Sequence, residues 1–261
     1  MQAMCLSVQS AVLAAKEPFF ARVMKGDILK GYCQRSFWFK RFVRTVKQCF
    51  WFKCFGTMAF TAVFFLAYVH LLKHPYAPVS IMPVTVLDDL IGFQPMALLP
   101  YVSLWVYVSI PPVFMVRIRE IIIYGGWAAV LCLIGLAIFF FAPTAVPAAN
   151  IDWARYPGVD FLKGVDAAGN ACPSLHVATA VFSAIWLHRI LQAFGTARSG
   201  LVLNWFWCLA IIYSTMATKQ HVAIDVFAGS ALGTVIAWIS LSKCRGLTVF
   251  RSQEIPMEPS A

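Results

Sequence analysis

Apolar residues gather along the chain in six long runs, separated by short polar or proline-rich stretches. The runs lie at about 55–72, 96–116, 121–142, 174–194, 201–217 and 222–242. Each approaches the roughly 20 residues that cross a hydrocarbon core as an α-helix. The pattern therefore predicts an all-α fold, a six-transmembrane-helix bundle. The fifth run is the shortest. The second contains Pro111-Pro112, which should kink or end its helix, since proline lacks a backbone donor. A basic leader, residues 1–54, precedes a membrane domain at 55–242, and a short tail, 243–261, follows it. Because the leader is long and basic, the first run is not read as a cleavable signal peptide.

Composition supports this reading. The chain is 61% hydrophobic with a mean hydropathy of +0.75, and only 12% of its residues are charged. An average globular domain carries about 25%. Charge placement then sets the topology. Ten of the 21 Lys and Arg lie in residues 1–54. With six crossings the leader shares its side with Arg117, Arg119, Arg189, Arg198, Lys243, Arg245 and Arg251. The opposite side holds Lys73, Arg155, Lys163 and Lys219. The positive-inside rule places both termini in the cytoplasm. The net charge of +10 then serves topology and membrane lipids, and no soluble basic domain is visible to bind nucleic acid.

Within the leader, SFWFKRFVRTVKQCFWFKCF sets Lys40, Arg44 and Lys47 at i, i+4 and i+7 among aromatic residues. This suits an amphipathic helix in the cytoplasmic interface. A simple positive-inside anchor fits equally, and a calmodulin-type target helix is a third reading. Of eight cysteines only Cys172 falls on the outer side, so no outer disulfide can form within one chain. No CxxC or His-rich spacing appears; neither a metal nor a cofactor is expected.

Two outer loops are long. The first, about 73–95, holds Pro75, Pro78, Pro83 and Asp88-Asp89, and Thr85 with Asp88 fits a capping box. The second, Pro143 to about Ala171, carries Asp152, Arg155, Asp160, Lys163 and Asp166. Long loops of this kind carry function more often than short ones, and this one is expected to cap a site.

The chemistry gathers at two stretches. In KQHVAIDVFAG, His221 and Asp225 stand four residues apart, a spacing that places both on one face of a helix. An unpaired carboxylate in a membrane costs roughly 2.5–3.5 kcal/mol on insertion scales. In NACPSLH, Pro173 is expected in the first turn of the fourth span. The amides of Ser174, Leu175 and His176 would then face outward and, with the helix dipole, form a phosphate site. Spans four and six both start on the outer side, so His176 and His221 both lie near the outer surface, at starts of helices that could be neighbours. Two histidines, a carboxylate, a helix N-terminus and Lys219 make a kit for phosphoryl transfer. His70, His74 and His188 are read as structural, and Cys172 as a packing residue.

CPSLH and STMATKQHVAID resemble the second and third motifs of the type 2 phosphatidic acid phosphatase superfamily, the lipid phosphate phosphatases. Its usual pattern is K-x6-R-P, then P-S-G-H, then S-R-x5-H-x3-D. Here Leu175 stands at the glycine of the second motif and Thr215 at the arginine of the third. K-x6-R-P is absent; the nearest material is Arg155-Tyr-Pro157 and Lys163. The PSLH variant is similar to the branch containing inositol phosphorylceramide synthases. The resemblance covers about 95–240 and implies a metal-independent enzyme without a cofactor. It implies His221 as nucleophile, Asp225 as its orienting partner and His176 as acid and base. With Thr215 in place of arginine, Lys219, Ser174, Arg155 and Lys163 are the phosphate-binding candidates. The expected activity is hydrolysis of a phosphate or pyrophosphate monoester of a lipid at the outer face. Transfer to an alcohol, as in a headgroup phosphotransferase, is the alternative. A transporter using His221 and Asp225 is a second, but such sites are usually built at mid-bilayer, and no inverted repeat is visible. An intramembrane metalloprotease would want HExxH, which is absent. A chain without a glycosylation sequon is compatible with a bacterial inner membrane. The lipid and the oligomeric state stay open.

Overall fold

The structure is a computed structural model that describes residues 39–40, 42–159, 170–244 and 246–250. The chain divides into two units, 1–48 and 49–261. In the first, residues 39–40 and 42–47 are helical; the rest of the expected amphipathic stretch before 39 lies outside the described residues.

The second unit is helical almost throughout. Its elements are α1 (Phe50–Lys73), α2 (Val86–Leu90), a broken helix over Pro95–Val113, α6 (Ile118–Phe141), α7 (Leu175–Ala193), α8 (Arg198–Ala217) and α9 (Ala223–Lys243). Five of these, α1, the broken helix, α6, α8 and α9, are long and apolar enough to cross a membrane. The remaining expected span, the fourth, does form a helix, α7. His176, Thr179, Ser183, His188 and Arg189 dilute its apolar run, and it is not among the five. Its packing explains why it can be less oily. Val177, Ala178, Ala180, Ala184, Trp186 and Ile190 have no exposed surface, so this helix meets other helices rather than solvent or lipid.

The broken helix consists of a 3-10 turn, Pro95–Ala97, then α3 (Leu98–Val102), α4 (Leu104–Tyr107) and α5 (Ile110–Val113). Pro111 and Pro112 do more than end a helix. They begin α5 at its first turn, where a missing N–H is tolerated, and the preceding segment stops at Tyr107, four residues before Pro111, where its ring would clash with a carbonyl. Ser103 and Ser109 hydroxyls donate to the carbonyls of Pro100 (2.7 Å) and Trp105 (2.9 Å), satisfying acceptors near the breaks.

α7 and α9 pack closely through glycines. A Cβ at Gly229 would strike the carbonyl of Ser174, and one at Gly233 the carbonyl of Ala178. Both contacts advance along the two helices together, so α7 and α9 run parallel and start at the same end. A small-xxx-small spacing allows such close backbone approach. Trp186 Nε1 donates to Ser240 Oγ (2.8 Å) further along the pair. The two chemical motifs therefore meet because the helices that carry them are parallel neighbours.

Loop segments cover that end. Strands β1 (Ser80–Ile81) and β2 (Thr144–Ala145) pair in parallel, and Thr144 bridges to Asn170. Ala171 N–H donates to the Thr144 carbonyl (3.0 Å) and Cys172 N–H to Thr144 Oγ1 (2.8 Å). Met82, Ala171 and Val222 bury one another beneath this sheet, with Val146 and Cys172 packed alongside. A cap built from both long loops is thus present next to the motifs, although Asp160, Lys163 and Asp166 lie outside the described residues. The six described cysteines are free thiols.

Candidate active site

The α7 start differs from expectation in one detail. Pro173 was expected in the first turn, but Ser174 is the N-cap, and its hydroxyl accepts from Val177 N–H (3.2 Å). Pro173 lies just outside the helix. Ser174 N–H donates to the Asp225 carbonyl (3.1 Å), joining the two motifs directly. His176 follows in the first turn. Its ring stacks on Tyr101 with centroids 4.1 Å apart and planes 21° from parallel. The backbone of Tyr101 hydrogen-bonds the ring, while Nε2 is buried with no partner. A ring held through one nitrogen with the other bare is poised to exchange a proton with a bound group.

His221 is not on a helix. α8 ends at Ala217, Lys219 adopts a left-handed backbone at φ 56°, and α9 begins only at Ala223. The amides of Gln220 and His221 both donate to the Thr215 carbonyl (3.0 and 3.1 Å), which fixes the turn. Asp225 is the third residue of α9, and its Oδ2 accepts from the Val222 N–H (3.1 Å). That is the carboxylate half of a capping box, favoured by the helix dipole. The same Oδ2 lies 3.5 Å from His221 Nδ1. The pair thus comes together by a carboxylate reaching back over a helix start, not by the shared helix face that the spacing suggested. Asp225 is fully buried and His221 is 6% exposed; Asp225 Oδ1 and His221 Nδ1 have no hydrogen-bond partner. Buried polar atoms are normally satisfied, and a cluster of unsatisfied ones on titratable groups makes this a candidate site.

A second carboxylate braces this turn. Asp88 Oδ2 accepts from the N–H and hydroxyl of Thr85 (both 2.8 Å), which bears out the capping box. Its Oδ1 accepts from Ala223 N–H (2.8 Å), the first residue of α9. Lys219 Nζ donates to the carbonyls of Asp88 (2.8 Å) and Ile91 (2.6 Å), and Gln94 N–H to that of Ala217 (2.8 Å). Four hydrogen bonds thus fasten residues 88–94 across the two sides of His221. Asp88 acts as a positioning residue. Asp88→Asn can serve only one of its two donor sets with oxygen. We expect kcat to fall about 10–100-fold, on the scale of a small misplacement of a reacting group, with KM little changed. A kcat within about twofold of wild type would reduce Asp88 to a purely structural tie.

His176 and His221 both line one cavity of about 480 Å³, which continues along α1, α4 and α6. Asn170 lines it too; its Nδ2 donates to the Tyr68 carbonyl (2.9 Å) and its Oδ1 is buried and unpartnered. A buried histidine pair with a carboxylate behind one ring, opening on a largely apolar cavity, is an arrangement for nucleophilic group transfer.

Residues 121–246 match the family model of the PAP2 superfamily. The match, slightly under half of the chain, contains both motifs and helices α7 to α9. No curated protein and no solved structure matches the chain. The PAP2 span leaves out α1, Asp88 and Tyr101, so much of the cavity wall and the brace of His221 lie beyond it.

The phosphate-binding candidates are dispersed. Lys219 reaches the carbonyls of Asp88 and Ile91. Ser174 is fully buried, with its amide on Asp225 and its hydroxyl on Val177. Arg155 is exposed and pairs with Asp152 (2.9 Å) in the 153–155 turn. Lys163 lies outside the described residues. Thr215, at the position of the family arginine, is fully buried with its hydroxyl on the Ile212 carbonyl (2.7 Å). Among the described residues no group of three or more His, Cys, Asp or Glu side chains is arranged to hold a metal ion. His70 meets Tyr76 and His188 meets Trp205, away from the cavity. Sequence reasoning missed Tyr101, Asn170 and the reach of Asp88 to α9. Only Asp88 had a local signal, as a capping residue, and nothing in the sequence gave its second partner.

Proposed function

We propose that this chain is a PAP2-type integral-membrane enzyme that hydrolyses a phosphate or pyrophosphate monoester of a lipid through a phospho-histidine. The observation that carries the reading is His221, backed by Asp225, sharing a cavity with the unpartnered Nε2 of His176. In the first step His221 Nε2 attacks phosphorus, the N–P bond forms, and the P–O bond to the lipid breaks. His176 gives its proton to the departing oxygen. Asp225 keeps the His221 proton on Nδ1 and offsets the positive charge that the ring gains. In the second step His176 takes a proton from water as the water oxygen attacks phosphorus, and the N–P bond breaks. The carboxylate contact of 3.5 Å in the free protein shortens as the ring becomes charged.

Lys219 and Ser174 serve this reading as parts of the frame. The amides of Leu175 and His176, which have no acceptor inside α7, are left for the phosphate oxygens, with Arg155 and Lys163 of the second outer loop as the candidate cations. The site stands at helix starts, as a headgroup at a membrane surface requires, with the termini on the cytoplasmic face of a bacterial-type inner membrane.

Purified protein in detergent with EDTA, offered a panel of lipid mono- and pyrophosphates, is expected to release inorganic phosphate. Release that stops with EDTA would overturn the metal-independent mechanism. Silence across the panel, with headgroup transfer to an added alcohol, would replace hydrolysis by phosphotransfer at the same histidines.

A further inference from the structure

The cavity beside the histidines is long, apolar and closed on one side by α1, a helix with few buried residues. Among the 24 residues of α1 only Lys53 and Leu72 are buried. The helix is fastened near its two ends: Lys53 Nζ donates to the Val113 carbonyl (2.9 Å), and the Tyr68 carbonyl accepts from Asn170. Between these ties it stands over the cavity, which runs from Phe52 to Tyr68 along α1. Those residues are about 24 Å apart at roughly 1.5 Å per residue, most of a hydrocarbon core of about 30 Å. Small residues open the space from both walls. Gly56 on α1 and Gly125 on α6 line it, and a Cβ on either would meet no atom within 4 Å.

Resting on the phosphatase reading, we infer that this groove holds one hydrocarbon chain of the substrate, extended along α1 with its phosphate at His221. The polar end of the cavity is the end with the two histidines and Asn170. Deeper in, the hydroxyls of Tyr124 and Ser183 bond each other (3.0 Å) and Thr179 bonds the Leu175 carbonyl (2.8 Å), leaving a wall that suits methylene groups. The volume of about 480 Å³ includes the histidine end where the phosphate sits, and at roughly 30 Å³ per methylene, the share of one water in the liquid, it holds one chain of at most about sixteen carbons, not two. Because such a chain leaves lipid or detergent rather than water, length selectivity arises from fit and not from hydrophobic transfer. Gly56 and Gly125 are the specificity-determining positions.

The experiment measures kcat/KM for linear alkyl phosphates from butyl to eicosyl in a fixed mixed micelle. We expect the wild type to peak at or below hexadecyl. Gly125→Leu and Gly56→Leu, which fill open space, should move the peak to shorter chains and lower the hexadecyl-to-hexyl ratio by about tenfold, the usual scale for a misfitted apolar pocket. Leu133→Ala, on the exposed face of α6 (63% exposed), should leave the ratio alone. A flat wild-type profile, or one that neither glycine variant moves, overturns the groove while the phosphatase reading stands. No release from any alkyl phosphate, short or long, removes the phosphatase reading and the groove with it.

Discussion

His221→Ala should lower phosphate release by at least about 10⁴-fold, the scale seen when a covalent nucleophile is removed. The loss follows from chemistry and not from unfolding. What the fold uses at this position is the backbone: the His221 amide donates to the Thr215 carbonyl (3.1 Å), and alanine keeps that bond. The ring's Nδ1 makes no hydrogen bond in the structure, so removing it breaks none. Asp225 Oδ2 retains the Val222 amide, and Asp88 still caps Ala223. Melting temperature should therefore stay near that of wild type. A brief reaction with a ³²P-labelled substrate, quenched in base, should leave label on the wild-type protein and none on the variant, because a phosphoramidate is stable to base and cleaved by acid. A variant within about 100-fold of wild type would be incompatible with covalent catalysis by this residue. The His176→Ala variant should differ in kind: it loses the proton donor but keeps the nucleophile, so label still accumulates when the leaving group is a good one.

Much of this site was readable because its parts are separated by short, fixed intervals. Apolar runs set the helices to within a few residues: α6 was expected at 121–142 and spans Ile118–Phe141, and α9 was expected at 222–242 and spans Ala223–Lys243. The positions of His176 and His221 at neighbouring helix starts followed from counting crossings. What failed was local. His221 was placed on a helix because i and i+4 share a face, whereas capping by Asp225 starts α9 after it. Pro173 was placed inside the helix, whereas Ser174 caps it and Leu175 is its first residue. What could not be read was long-range. Asp88 meets Ala223 across 135 positions and Lys219 meets Asp88 across 131, and no periodicity encodes such partners. The same limit explains Lys219. A lysine two residues before His221 reads as a phosphate ligand, but its side chain reaches the carbonyls of Asp88 and Ile91 at the end of α2. At the position of the family motif's arginine, Thr215 turns its hydroxyl onto the Ile212 carbonyl (2.7 Å).

Asp225→Asn should fold and yet lose activity by about 10²–10⁴-fold, because it takes away the negative charge behind the His221 ring. Asparagine keeps one carbonyl oxygen, which can accept from the Val222 amide as Oδ2 does now (3.1 Å), and asparagine is tolerated near helix starts. The backbone tie between motifs is untouched, since Ser174 donates to the Asp225 carbonyl (3.1 Å) and not to its side chain. The side-chain oxygen that accepts from Val222 is also the atom that faces His221 Nδ1, so the variant keeps the cap and sets a neutral amide oxygen against the ring in place of a carboxylate. It thereby removes the negative charge that stabilises the phosphorylated ring, in a place where the carboxylate is fully buried and solvent cannot substitute for it. Two readouts separate this from a packing defect. The melting temperature should hold, and KM should change little while kcat collapses. In Asp225→Ala, by contrast, both should suffer, because the cap of about 1 kcal/mol is lost as well. An Asp225→Asn enzyme with kcat within about tenfold of wild type would mean that the carboxylate serves α9 as a cap and His221 not at all.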